Sequence, residues 1–132
     1  MSTEHNKEAI RRAMNALGRG DFTGFLADVA EDCTFTIVGL DFGPLHGKQQ
    51  VRKFLDDVLG TLLVNGTIAM TIENLIAEGD YVVEQARGKS QTKTGNPYDN
   101  TYCRVWRFAD GKIKSITEYL DTELAHRVVE GR

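Results

Sequence analysis

An α+β fold, with three N-terminal helices packed on the concave side of a curved antiparallel sheet, is predicted by three observations. Helical hydrophobic periodicity is confined to residues 3–59. From Ile68 onward apolar and polar residues alternate instead. Turn signals at Gly79-Asp80, in "TKTGNP" and at Ala109-Asp110-Gly111 cut that second stretch into consecutive strands. Helical periodicity first and period-two alternation afterwards, with short turns, describes helices laid on one face of a meander. The 132 residues are read as one domain spanning 1–132, large enough to bury a core without a disulfide or metal staple.

The elements follow in order. Ile10, Met14 and Leu17, with Ala13 beside them, form the apolar side of a first helix. Ser2 or Thr3 can cap its start, and Gly18 and Gly20 can end it. Asp21 caps a shorter helix whose Phe22, Phe25, Leu26 and Val29 share a face. "CTFTIVG" is a strand, and "GLDFGPLHG" is a loop broken by glycine and proline. A third helix starts near Gly47 and buries Val51, Phe54, Leu55, Val58 and Leu59. Strands follow around Ile68–Ile72, at Tyr81–Ser90, and on both arms of "NTYCRVWRFADGKIKSITEYLD".

That last hairpin carries the chemistry. Tyr102, Arg104, Trp106 and Phe108 lie on one face of its first arm. Two turn geometries are open. A two-residue Asp110-Gly111 loop would pair Ala109 with Lys112 and set Cys103 opposite Glu118. A type I turn with Gly111 in a left-handed bulge would pair Phe108 with Lys112 and set Tyr102 opposite Glu118. The apolar pattern favours the bulge, which brings Ile116, Glu118 and Leu120 to the Arg104 face with Glu118 diagonal to Arg104. The preceding strand adds either Val83, Gln85 and Arg87 or Val82, Glu84 and Ala86. The first set better matches the mixed polar and apolar character of the hairpin. The expected cup therefore holds Arg87, Arg104, Gln85, Tyr102 and Glu118 between Phe54, Trp106, Ile116 and Leu120. His46, in the loop before the third helix, can line its mouth.

Composition excludes several roles. The net charge of −3 and the dispersed Lys and Arg give no basic face for nucleic acid. No apolar stretch approaches the length of a membrane span, and the polar opening "MSTEHNKEAIRR" is not a signal peptide, which leads to a cytoplasmic expectation. Cys33 and Cys103 lack metal-binding or redox spacing, and the histidines His5, His46 and His126 have no metal-ligand spacing. "GLDFGPLHGK" is not a Walker A loop. Neither metal nor cofactor is expected.

The order of helices and strands, with "GRGDFTGFLADVAEDCTFTI", "GPLHGKQQVRKF" and "YCRVWRFADGKIKSITEYLD", resembles the nuclear-transport-factor-2-like cone fold. That superfamily, which shares the cystatin-like layout, includes ketosteroid isomerase, limonene epoxide hydrolase, scytalone dehydratase and the SnoaL-like polyketide cyclases. The isomerase's tyrosine falls here on Ala13, its base on Ile37 or Val38, and its second aspartate on Arg104, so its mechanism is not implied. The epoxide hydrolase's water-holding tyrosine and asparagine fall on Phe35 and Ile37, and its middle-strand Arg and Asp near Ala86 and Gly88. Its last-strand aspartate matches Asp121, as does the acid/base aspartate of the cyclases. The resemblance implies a small-molecule cavity and a homodimer joined through the outer sheet face, where Thr101, Cys103, Val105 and Tyr119 lie.

Two kinds of function remain open. One is a cofactor-free isomerase, cyclase or hydrolase acting on a small apolar carbonyl or carboxylate compound. In it Asp121 or Glu118 is the general base, Arg104 and Arg87 stabilise an enolate or bind a carboxylate, and Tyr102 donates a hydrogen bond. The other is a non-catalytic binding or interaction module that uses the same cavity.

Overall fold

Helix α1, Thr3–Gly18, starts where the Ser2 hydroxyl accepts the His5 N–H at 3.1 Å. The computed structural model describes residues 2–130; Met1 and residues 131–132, the ends of the expected domain, lie outside the described residues. Ile10, Ala13, Met14 and Leu17 face the core as their spacing predicts. Helix α2, Phe22–Phe25, is capped by Asp21, which accepts the Gly24 N–H at 2.8 Å. Val29 does not extend that helical face. It opens strand β1, Val29–Ile37, which therefore starts earlier than expected.

The glycine- and proline-rich loop contains a short strand, β2, Leu45–His46, paired antiparallel to β1. Helix α3, Lys48–Phe54, runs into a π-helical turn at Leu55–Leu59, in which the Gly60 N–H reaches back five residues to the Leu55 carbonyl. A last turn, α4, spans Gly60–Leu62. Strands β3 (Ala69–Glu78), β4 (Tyr81–Lys89), β5 (Thr101–Ala109) and β6 (Lys112–Leu120) form the meander. The order across the sheet is β2-β1-β6-β5-β4-β3. β1 joins β6 in parallel, so the sheet is mixed at one edge and antiparallel through the meander. Extra residues at Glu73 in β3 and Lys114 in β6 interrupt the ladders. Such bulges bend and twist strands, which curves the sheet around the helices. Helix α5, Thr122–Glu130, was not expected.

The β5–β6 turn corrects the predicted register. Asp110 and Gly111 both have positive φ, +52° and +77°, and Ala109 pairs with Lys112, so the loop has two residues. The bulge sits further along, at Lys114. Together they set Arg104 directly opposite Glu118 and Tyr102 opposite Leu120. Beyond the bulge this register differs from the expected one by two residues, an even number, so Ile116, Glu118 and Leu120 keep their predicted face; before it the offset is one residue, and Ile113 takes the inward place opposite Phe108 expected of Lys112.

The face of β4 is the reverse of the one favoured from the sequence. Val82, Glu84 and Ala86 are buried, whereas Gln85 and Arg87 are exposed. Gln85 accepts from Asn74 at 2.9 Å and Arg87 donates to Glu73 at 3.2 Å, both on the outer face. The reason is steric. A Cβ at Gly88 would stand 2.9 Å from both Ile68 and Tyr102, so the small residues Ala86 and Gly88 must lie under the packed side.

Candidate functional site

Three adjacent strands place three charges in one row. Glu84 on β4 is opposite Arg104 on β5, and Arg104 is opposite Glu118 on β6. The Arg104 Nε donates to Glu118 Oε1 at 2.6 Å, and its Nη1 donates to Glu84 Oε2 at 2.9 Å. The second Glu84 oxygen accepts the Trp106 indole N–H at 2.9 Å. From α1, the Met14 sulfur lies 3.5 Å from Nη1, and the guanidinium stands over the Tyr102 ring at 4.4 Å. Glu84 is wholly buried, and Arg104 and Glu118 are 3% and 7% exposed. Charges so removed from water persist only when paired and hydrogen-bonded, as these are. Burial works against the Arg104 charge, but Glu84 and Glu118 outweigh it and hold its pKa above the ordinary value.

Arg104 and Glu118 of this row are on the wall of a cavity of about 80 Å³ between the concave face and the helices, and Glu84 lies behind them. Glu118, Arg104, Tyr102 and Tyr98 are its polar groups; the rest of the wall is aliphatic and aromatic. Phe54 and Leu120 are on that wall, with Val58 and Leu59 from the π-helical turn. Phe42 and Val129 are its solvent-exposed members, so the mouth lies between the loop after β1 and the end of α5.

Two atoms on the polar side lack partners. Among the described residues, Glu118 Oε2 takes no hydrogen bond, while Oε1 is held by Arg104. The Tyr102 hydroxyl is buried and unpartnered. Burial, with the neighbouring Tyr98 phenol adding to it, pushes the Tyr102 pKa far above the usual phenol range, so it stays a donor. Burial raises Tyr98 likewise. Tyr98 is fixed by Asn100, whose amide donates to the phenol oxygen at 3.2 Å and to the Asp121 carbonyl at 3.1 Å.

The other residues singled out from the sequence lie elsewhere. Trp106 and Ile116, paired two positions along the strands from Arg104 and Glu118, are buried in the core and not on the cavity wall. Gln85 and Arg87 are on the outer face. His46 is exposed on the β2 edge strand and not on the cavity wall. Asp121 is exposed, and its Oδ1 accepts the Glu123 and Leu124 N–H groups at 3.1 and 3.2 Å, which makes it the cap of α5. A strand residue next to the inward Leu120 must point outward, and the helix start then engages its carboxylate. Conversely, Tyr98, Asn100 and the α5 wall residues were missed. Glu84 belongs to the β4 set that the sequence disfavours, because Val83, Gln85 and Arg87 better match the mixed character of the hairpin.

Residues 10–116 match a family profile described as a SnoaL-like domain. The chain belongs to this family. A search of curated proteins found no match. Among solved structures, this SnoaL-like domain is similar to a nuclear-transport-factor-2-like protein of unknown function from Burkholderia pseudomallei, with 24% identity, 98% of each chain covered and a TM-score of 0.84. It is also similar to TerC, co-crystallized with polyporic acid, at 23% identity over 96% of this chain and 98% of that one, TM-score 0.81. An LEH-like epoxide hydrolase of M. tuberculosis gives 20% identity over 98% of this chain and 92% of that one, TM-score 0.78. These likenesses establish the nuclear-transport-factor-2-like fold. Among the described residues, no helix is long and apolar enough to cross a membrane.

Proposed function

We propose that the cavity takes a small, largely apolar carbonyl compound, and that Glu118 transfers a proton to or from it without a cofactor. The reading rests on one juxtaposition: a free carboxylate oxygen of Glu118 and the unpartnered Tyr102 hydroxyl share the polar side of an apolar cavity. Arg104 orients Glu118, and Tyr102 donates to the oxygen on which charge develops. Isomerisation, cyclisation and hydrolysis all fit such a pair. That two structural neighbours bear the names of an epoxide hydrolase and a complex with polyporic acid supports a small-molecule role. Glu118→Gln keeps the shape and the Arg104 contact but removes the base, and should lower turnover of a substrate found by screening by about 10²–10⁴-fold. Turnover near the wild-type value in that variant would remove Glu118 from the reaction.

The second reading is non-catalytic binding in the same cavity. It is favoured by the capping role of Asp121, which leaves Glu118 as the one carboxylate on the wall among the described residues. In that case ligand binds and is released unchanged.

We further place the outer sheet face in a homodimer. Ile76, Val83 and Val105 pair across β3, β4 and β5 as an apolar stripe, with exposed Tyr81 and Tyr119 on the same face. Light scattering at micromolar concentration should give twice the chain mass of 14.7 kDa. Tyr119→Glu should shift the mass toward that of one chain, and a wild-type monomer would rule the dimer out. The two free thiols, Cys33 and Cys103, suit a reducing cytoplasm.

A further inference from the structure

The charges of the buried row do not balance. Arg104 is its single cation, shared between Glu84 and Glu118. Among the described residues no other Lys, Arg or His lies on the cavity wall. By formal charge the row holds two carboxylates to one guanidinium, and that guanidinium is already engaged from both sides. A carboxylate ligand would add a further negative charge in a space of low dielectric, where like charges repel strongly. A neutral hydroxyl compound meets no such penalty. It can donate its O–H to Glu118 Oε2, while an oxygen nearby accepts from Tyr102.

We propose that the cavity selects neutral hydroxyl compounds, such as phenols and enols, over carboxylates, and that Glu84 sets this preference. The inference rests on the cavity reading above and adds to the compound it takes a phenolic or enolic hydroxyl group, which the probes below test by itself. Glu84 is wholly buried and absent from the cavity wall. It acts through Arg104, by neutralising a guanidinium that would otherwise attract anions. Its partner Trp106 holds the carboxylate in place, so Glu84 is a positioning residue for specificity.

Calorimetric titration at neutral pH with two matched pairs, phenol against benzoate and 2-naphthol against 2-naphthoate, tests this. The wild-type protein should bind each hydroxyl compound at least about tenfold more tightly than its carboxylate partner. Glu84→Gln should lower that ratio by at least about tenfold, chiefly by gaining carboxylate affinity, which a merely structural role would not produce. Because Glu84→Gln changes the direct partner of the Trp106 indole, far-ultraviolet circular dichroism and a cooperative urea transition show whether the variant has folded. If it has not, Glu118→Gln removes the same charge from the other side of Arg104 and must move the ratio in the same direction. Equal wild-type binding of both members, or a ratio unchanged in a folded variant, overturns the selectivity and leaves the cavity reading intact. Failure of every probe to bind overturns the cavity reading and the selectivity with it.

Discussion

Arg104 is held where water barely reaches it, and each contact around it answers a need its burial creates. Two carboxylates supply countercharge, a thioether and an aromatic face cover the remaining surface, and an indole N–H occupies the far oxygen of Glu84. The penalty for removing one member therefore exceeds what the intact row contributes. Arg104→Met, which keeps much of the volume, leaves two carboxylates buried side by side and should destabilise the protein by about 3–5 kcal/mol in urea unfolding. Adding Glu84→Gln and Glu118→Gln to that variant should recover most of the loss. A single variant as stable as the wild type would mean that the row is not closed to water as described. Why an arginine sits on the most aromatic strand face was legible in part: the sequence pointed to Glu118 as its neighbour but not to Glu84 as its second one.

At the scale of elements, the β5–β6 hairpin shows what alternation can and cannot tell. Period two assigned the faces of Ile116, Glu118 and Leu120 correctly because beyond the bulge the actual register and the expected one differ by two residues, whereas Lys112 and Ile113, one residue off, exchange faces. It could not locate the bulge at Lys114, since the lysine stem is compatible with either strand position. On β4 alternation failed for a different reason. "VVEQARG" is amphipathic read either way, and only contact with Ile68 and Tyr102, distant in sequence, forces Gly88 and with it Glu84 inward. Helix α5 was missed although "DTELAHRVV" carries a cap and a spaced Ala125, Val128 and Val129 face. Weighing Asp121 as a general base drew attention away from its use as that cap. Asp121→Ala should accordingly cost about 1 kcal/mol of stability, measured by thermal or urea unfolding, and leave turnover unchanged. A variant of full stability that has lost turnover would restore Asp121 to the chemistry.

The whole molecule joins these levels. The sheet bends at its bulges, α1, α3 and the π-helical turn close over its concave face, and α5 borders the mouth, leaving one apolar cavity with its polar groups on one side. The class of fold and the family were legible because scaffold motifs and element order run through nearly the entire chain. The composition of the cavity was less so, because its wall draws on residues from Leu17 to Val129 that only tertiary packing brings together. The central claim is that ligand meets Glu118 and not Asp121. Native mass spectrometry of the protein incubated with a graded set of small hydroxyl and carbonyl compounds tests it most directly, comparing wild type, Glu118→Gln and Asp121→Asn. A bound compound whose occupancy falls at least about tenfold in Glu118→Gln and is unchanged in Asp121→Asn is the predicted result. Occupancy retained in Glu118→Gln and lost in Asp121→Asn would contradict it.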